Sequence, residues 1–171
     1  MPKAVSYLLL TIVLLAAFLR FGDLAGPSLW DDEMHTIDFA GRPVETMLAQ
    51  SAQKDSNPLG FYLLLHAWLP FGRSEVHYRA LPALFGTLAV LAIYWLAAAL
   101  FNRPTALLAA LLAAVQPLSV YCSREARAHT AALLALTLAT LFLVRLLQDG
   151  RLRFCFGYLV SLAAALHLHY Y

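Results

Sequence analysis

Apolar residues run along this chain rather than alternate with polar ones. Residues 4–19, 80–101, 104–121, 128–144 and 154–171 each proceed without a single Asp, Glu, Lys or Arg. Each is close to the roughly 20 residues that a helix needs to cross a hydrocarbon layer. Leu and Ala dominate and no period-2 pattern appears, so the runs predict helices, which satisfy their own backbone in lipid. Pro82, Pro104 and Pro117 fall near the ends of these runs, where a missing N–H costs least. A sixth run, PLGFYLLLHAWLPFG at residues 58–72, is short for a span and predicts a re-entrant or interfacial helix. The first run follows Met-Pro-Lys, but no small-x-small cleavage site succeeds it, so it reads as an uncleaved span rather than a signal peptide. The pattern predicts an all-α polytopic transmembrane bundle of about five spans. Its one long connection, residues 20–79, carries interfacial helices such as VETMLAQSA.

Composition agrees. Hydrophobic residues make up 61% of the chain and charged ones 13%, against about 45–50% and 25% in soluble domains; mean hydropathy is +0.69. Two cysteines, Cys122 and Cys155, fall near opposite membrane faces in this threading and form no disulfide framework. The net charge of +2 matters less than its distribution. With the N-terminus inside, the inner segments carry Lys3, Arg103, Arg145, Arg151 and Arg153 against one acid, Asp149, as the positive-inside rule requires. Every other acid and every histidine then lies on the outer side. Titratable chemistry is concentrated at one membrane face. No basic patch, P-loop, GxGxxG or HExxH is present, which leaves nucleic acid, soluble nucleotide cofactors and a zincin-type metal without a visible site.

Two outer segments stand out. LWDDEMH packs Asp31, Asp32 and Glu33 behind a Trp, either as a hydrated loop or as a general base with a neighbouring carboxylate. SREARAH, at residues 123–129, places Arg124, Glu125 and Arg127 after an apolar run. It is either a solvated hinge or, because arginine outside runs against the usual bias, a phosphate site. Arg79 opens the second span as a snorkelling cation or an anion ligand. His167 and His169 are two apart, about 200° around a helix, and do not face one ligand together.

The order of these pieces resembles the family 39 lipid-linked-sugar glycosyltransferases, GT-C membrane enzymes related to protein O-mannosyltransferases and lipid A aminoarabinose transferases. LWDDE is similar to the family's Trp-x-Asp-Glu. NPLGFYLLLHAWLPFGRSEVHYRALPALFG resembles a stretch that usually begins His-Pro-Pro-Leu-Tyr-Tyr. QPLSVYCSREARAHT resembles Ser-Pro-x-x-x-Tyr-x-Ser-x-Glu-Ala-Arg, and HLHYY resembles Thr-His-Tyr-Tyr. Asn57 stands where His is usual and Leu59 where the second Pro is usual. The resemblance implies an inverting sugar transfer from a polyprenyl-phosphate donor to a lipid, glycan or protein hydroxyl. Asp32 would be the base and Glu33 its neighbour. Arg79, Arg124 and Arg127 would be candidates for the phosphate, with Glu125 orienting an Arg or the acceptor. Asn57 and His169 would complete the substrate contacts. It implies no firm cofactor and no metal ligand set, a divalent cation being left open.

Family members have about twice as many spans or more, so the chain is expected to be the N-terminal part of such an enzyme, truncated at its C-terminus. The expected location is the plasma or inner membrane, with the N-terminus cytoplasmic and the site on the outer face. Two other readings use the same residues. One is a non-catalytic membrane protein of this fold that binds polyprenyl lipid or a partner. The other is a proton path or transporter, which the clustering of ionisable groups at one face disfavours.

Overall fold

The computed structural model describes residues 3–26, 28–51 and 58–169. Asn57, and Tyr170 and Tyr171 of HLHYY, lie outside the described residues. The described chain folds into nine α-helices with no strand among the described residues. In order they are α1 (Lys3–Phe21), α2 (Asp31–Ala40), α3 (Val44–Ser51), α4 (Leu59–Trp68, running into a 3-10 turn at Leu69–Phe71), α5 (Glu75–Leu100), α6 (Arg103–Val115), α7 (Pro117–Ser123), α8 (His129–Asp149) and α9 (Leu152–Leu168).

Local chemistry explains the boundaries. Ser74 starts α5 by accepting from the His77 N–H at 3.2 Å. Asn102 starts α6, its Oδ1 accepting from the Thr105 N–H at 3.0 Å and the Thr105 hydroxyl at 2.9 Å. Gly150 ends α8 in the left-handed region at φ +66° and closes it with an N–H bond to the Leu146 carbonyl at 2.8 Å.

α5 is the central helix. On one side it packs with α1 and α6 around Leu9, Ala16, Val90, Tyr94 and the fully buried Ala106, Ala110 and Ala114. That four-residue repeat of small side chains on α6 lets backbones approach closely, as membrane helices do. On the other side it packs with α8, and α8 with α9; Leu81, Ala132, Ala135 and Ala165 meet Phe61, Leu65 and Ala40 from α4 and α2. The outward faces carry exposed large apolar residues, among them Leu10, Leu14 and Phe18 on α1, Leu108 and Leu112 on α6, and Phe156 and Leu159 on α9. Such a continuous apolar exterior belongs against lipid rather than water. The protein is an integral membrane protein.

The spans differ from the sequence expectation in three places. α1, α5 and α8 are long and apolar enough to cross a membrane. The expected third span is instead the pair α6 and α7, bent by 59°. Pro117 lacks the N–H that would continue α6 and pushes Gln116 into an extended conformation, φ −64° and ψ 119°. α9, at 17 residues, is about 25 Å long, short of a hydrocarbon core of about 30 Å. Pro82 does not lie at a helix end. α5 begins at Glu75, so Pro82 sits inside it, and its carbonyl accepts from the Thr130 hydroxyl of α8 at 2.8 Å.

The α6–α7 break depends on a residue the apolar pattern does not single out. Arg20, in the last turn of α1, is fully buried. It donates to the carbonyls of Ala113 at 3.0 Å and Ala114 at 2.9 Å, and to the Ser119 hydroxyl at 2.9 Å. The Ala113 carbonyl is the one whose helical partner would have been the missing N–H of Pro117. A cation there also meets the negative end of the α6 dipole. Gly86 makes room for it, since a Cβ at that position would lie 3.0 Å from Arg20 Nε and 2.2 Å from Ser123 Oγ. Arg20→Met is expected to strand both carbonyls in an apolar interior, at about 1–3 kcal/mol each. A clear fall in the thermal unfolding midpoint in detergent would be observed; an unchanged midpoint would refute this role.

Candidate active site

The C-terminal ends of α1, α7 and α9 and the N-terminal ends of α5 and α8 meet at one end of the bundle, under α2 and α4. The acidic stretch lies here, and it is not a loop. Asp31, Asp32 and Glu33 form the first turn of α2, where negative charge is favoured by the helix dipole. Helical geometry then separates two adjacent acids by about 100°. Glu33 points into the protein and Asp32 points across its surface.

Glu33 is fully buried and accepts three bonds. Arg79 grips it in bidentate fashion, Nε to Oε1 at 2.8 Å and Nη2 to Oε2 at 2.6 Å. The Ala126 N–H also donates to Oε1 at 2.8 Å. Arg79 in turn donates to the carbonyls of Leu24 at 2.8 Å and Ser28 at 3.2 Å. One ion pair therefore ties together α2, α5, the segment after α1 and the bend at residues 124–128.

Asp32, about half exposed, meets Arg127 from that bend, with Nη1 and Oδ2 2.5 Å apart. The two face a cleft of about 90 Å³. α2 contributes Asp32, His35 and Thr36; Pro58, Phe61 and Tyr62 come from the start of α4; Arg127, Ala128 and His129 from the bend and α8; Leu168 and His169 from the end of α9. The rings of His129 and His169 lie 5.7 Å apart across it. The end of α9 reaches the cleft because α4 and α9 cross with almost no space between their backbones. A Cβ on Gly60 would lie 2.2 Å from the His167 carbonyl oxygen, so only glycine allows this approach.

Of the sequence candidates, Asp32, Arg127 and His169 come together in this cleft. Glu33 and Arg79 lie behind it as a buried pair. Arg124 turns away, donating from Nε at 3.1 Å and Nη2 at 2.5 Å to the Leu19 carbonyl, which closes the end of α1. Glu125 is buried. His35, Thr36 and His129 were not singled out from the sequence. A helical reading of residues 31–40 would have found two of them, because His35 and Thr36 follow Asp32 by three and four positions and share its face. Among the described residues, no three His, Cys, Asp or Glu side chains are grouped to hold a metal ion.

Residues 55–171 match the family described as dolichyl-phosphate-mannose-protein mannosyltransferase. The chain belongs to that family. Membership in the mannosyltransferase family makes it part of a GT-C glycosyltransferase lineage whose sugar donor is carried on a polyprenyl phosphate. Arg79, Arg124, Glu125, Arg127 and His169 lie within the matched segment, whereas Asp32 and Glu33 precede it. No curated protein and no solved structure matches the chain.

Proposed function

We propose that this protein carries the base-bearing wall of an inverting glycosyltransferase site, with Asp32 as general base. The observation behind the reading is the cleft in which Asp32 meets Arg127 beside His129 and His169. A hydroxyl is too weak a nucleophile unless its proton is taken as it attacks. Asp32 takes that proton. The acceptor oxygen bonds to the anomeric carbon from the side opposite the phosphate, the carbon–oxygen bond to phosphate breaks, and polyprenyl phosphate leaves with the bonding pair. Arg127 offsets the charge on the departing phosphate. Arg127 is paired with Asp32, so a donor phosphate competes for the guanidinium and releases the carboxylate. Base and cation are thus set against each other until the donor is in place.

Glu33 and Arg79 act through position. Their pair holds the Ala126 backbone, one residue from Arg127, against the turn that bears Asp32. Arg124 closes the end of α1, and Glu125 is buried in the same bend. Any role for Asn57 or for a divalent cation rests on the family resemblance alone. The cleft faces outward in this reading, because Lys3, Arg103, Arg145, Arg151 and Arg153 gather at the opposite ends of the helices, which suits the inner side. The acceptor is a lipid, glycan or protein hydroxyl.

The stereochemistry tests the reaction class. Membranes containing the protein, given a polyprenyl-phosphate sugar of known anomeric configuration, are expected to yield a product of opposite configuration by NMR. Retention of configuration would overturn the single-displacement mechanism.

A further inference from the structure

The Asp32–Arg127 cleft measures about 90 Å³, well below the roughly 300 Å³ at which ligand pockets usually begin. Two reactants need more room than this. His129 leads to it. This residue lines the cleft and also a second hollow, of about 230 Å³, between the bend joining α6 to α7 and the first turns of α8. Gln116, Leu118, Ser119, Cys122, Thr130 and Leu133 form its other walls.

The chemistry of the two hollows differs. The cleft holds a carboxylate and a guanidinium, whereas no Asp, Glu, Lys or Arg lines the second hollow. A phosphate has no counter-charge there. What the hollow offers is neutral hydrogen bonding beside apolar surface. The Ser119 hydroxyl accepts from Arg20 Nη2 at 2.9 Å, and its own proton has no acceptor among the described residues. A hydroxyl polarised in this way is the stronger donor. Gln116 spends Oε1 on the Ser119 N–H and keeps the donors on Nε2. The His129 ring lies against His169, and its nitrogens make no hydrogen bond among the described residues. Only the Thr130 hydroxyl is already spent, on the Pro82 carbonyl. Leu118 and Leu133 are exposed on the exterior, so the hollow opens on the side of the bundle that faces lipid.

We infer that this hollow seats the acceptor and that the acceptor is an uncharged glycolipid. Its sugar hydroxyls meet Gln116, Ser119 and His129, its hydrocarbon leaves past Leu118 and Leu133, and the reacting hydroxyl reaches Asp32 past His129. This rests on the proposed transferase reading and adds the class of acceptor. Charge sorts the two reactants: the anionic donor goes to Arg127, and the neutral acceptor goes to the hollow that has no cation. The opening toward lipid sorts the acceptors, because a soluble one has no use for it.

Cys122 gives the test, since its half-buried free thiol lines the hollow. Cys155, also half-buried but near the start of α9, is the internal control. The protein in phosphatidylcholine vesicles is treated with methyl methanethiosulfonate, and modification of each cysteine is timed by peptide mass spectrometry. Hexyl glucoside at about ten times its Kd is expected to slow Cys122 about tenfold and to leave Cys155 unchanged. Hexanol and polyprenyl phosphate are expected to slow neither. Equal slowing by hexanol would make the hollow an unspecific apolar cavity, and slowing by polyprenyl phosphate would give it to the donor. Slowing by a Ser-containing peptide in place of the glucoside would make the acceptor a protein. A Cys122 that none of them slows, or that does not react, would remove the site. Each of these outcomes overturns the glycolipid assignment and leaves the inverting chemistry standing, because the readout is binding. Protection by the glucoside in a protein that transfers no sugar would uphold the glycolipid site and sink the transferase reading. A second measurement uses Leu133→Trp, which fills the hollow from its rim. It is expected to raise KM for hexyl glucoside about tenfold at unchanged donor KM. Leu136→Trp, exposed on the same helix outside the lining, is expected to change neither. An unchanged glucoside KM in Leu133→Trp would overturn the site.

Discussion

Replacing Asp32 by Asn is expected to lower sugar transfer by roughly 10²–10⁴-fold while leaving membrane insertion and folding close to normal. Asn keeps the shape of the side chain and removes its ability to take a proton. The structural cost is small because Asp32 is half exposed and its ion pair with Arg127 is solvent-accessible; exposed pairs contribute only about 0–1 kcal/mol. The check is a transfer assay in membranes with polyprenyl-phosphate sugar, run beside a thermal unfolding curve in detergent. Undiminished transfer at equal protein level would remove Asp32 from the chemistry. A parallel loss of transfer and of folding would make it structural.

The neighbouring acid should behave in the opposite way. Glu33→Gln leaves the buried Arg79 without its counter-charge, and breaking a buried pair by removing one partner costs about 3–5 kcal/mol. The variant is expected to lose most of its folded population, and Arg79→Met should do the same by stranding Glu33. The Glu33→Leu, Arg79→Met double variant should be more stable than either single change, because no buried charge is left uncompensated. It should still transfer poorly. The Ala126 N–H then has no acceptor, the bend at residues 124–128 is no longer held against α2, and displacement of about 1 Å at a reacting group can cost about 10²-fold. Unfolding midpoints of the three variants are the measurement. A double variant no more stable than the singles would contradict the account of the pair.

The two adjacent acids also show where sequence reasoning worked and where it stopped. Uninterrupted Leu and Ala runs revealed the all-α membrane architecture, because charge is too costly in lipid to interrupt a span. The helix at residues 31–40 was hidden because the residues it buries include Glu33 and Thr36. A periodicity that looks for apolar side chains does not see a buried face made partly of polar ones. The same blindness applies to Arg20, whose burial depends on a proline about a hundred residues away. Motif order marked Asp32 and the SREARAH segment, and the structure brings Asp32 and Arg127 of that segment to 2.5 Å. It could not distinguish the arginines. Only the fold turns Arg79 inward onto Glu33 and Arg124 onto the end of α1, leaving Arg127 at the cleft.

Dependence of the Asp32→Asn defect on acceptor acidity tests the central claim most directly. Small alcohols from ethanol to trifluoroethanol suit a cleft of about 90 Å³ and differ in how much they need a base. Transfer rates of the native protein and the Asp32→Asn variant are compared across the series. If Asp32 takes the acceptor proton, the defect is largest with ethanol and shrinks steadily toward trifluoroethanol. A defect of the same size with every alcohol would contradict Asp32 as the base.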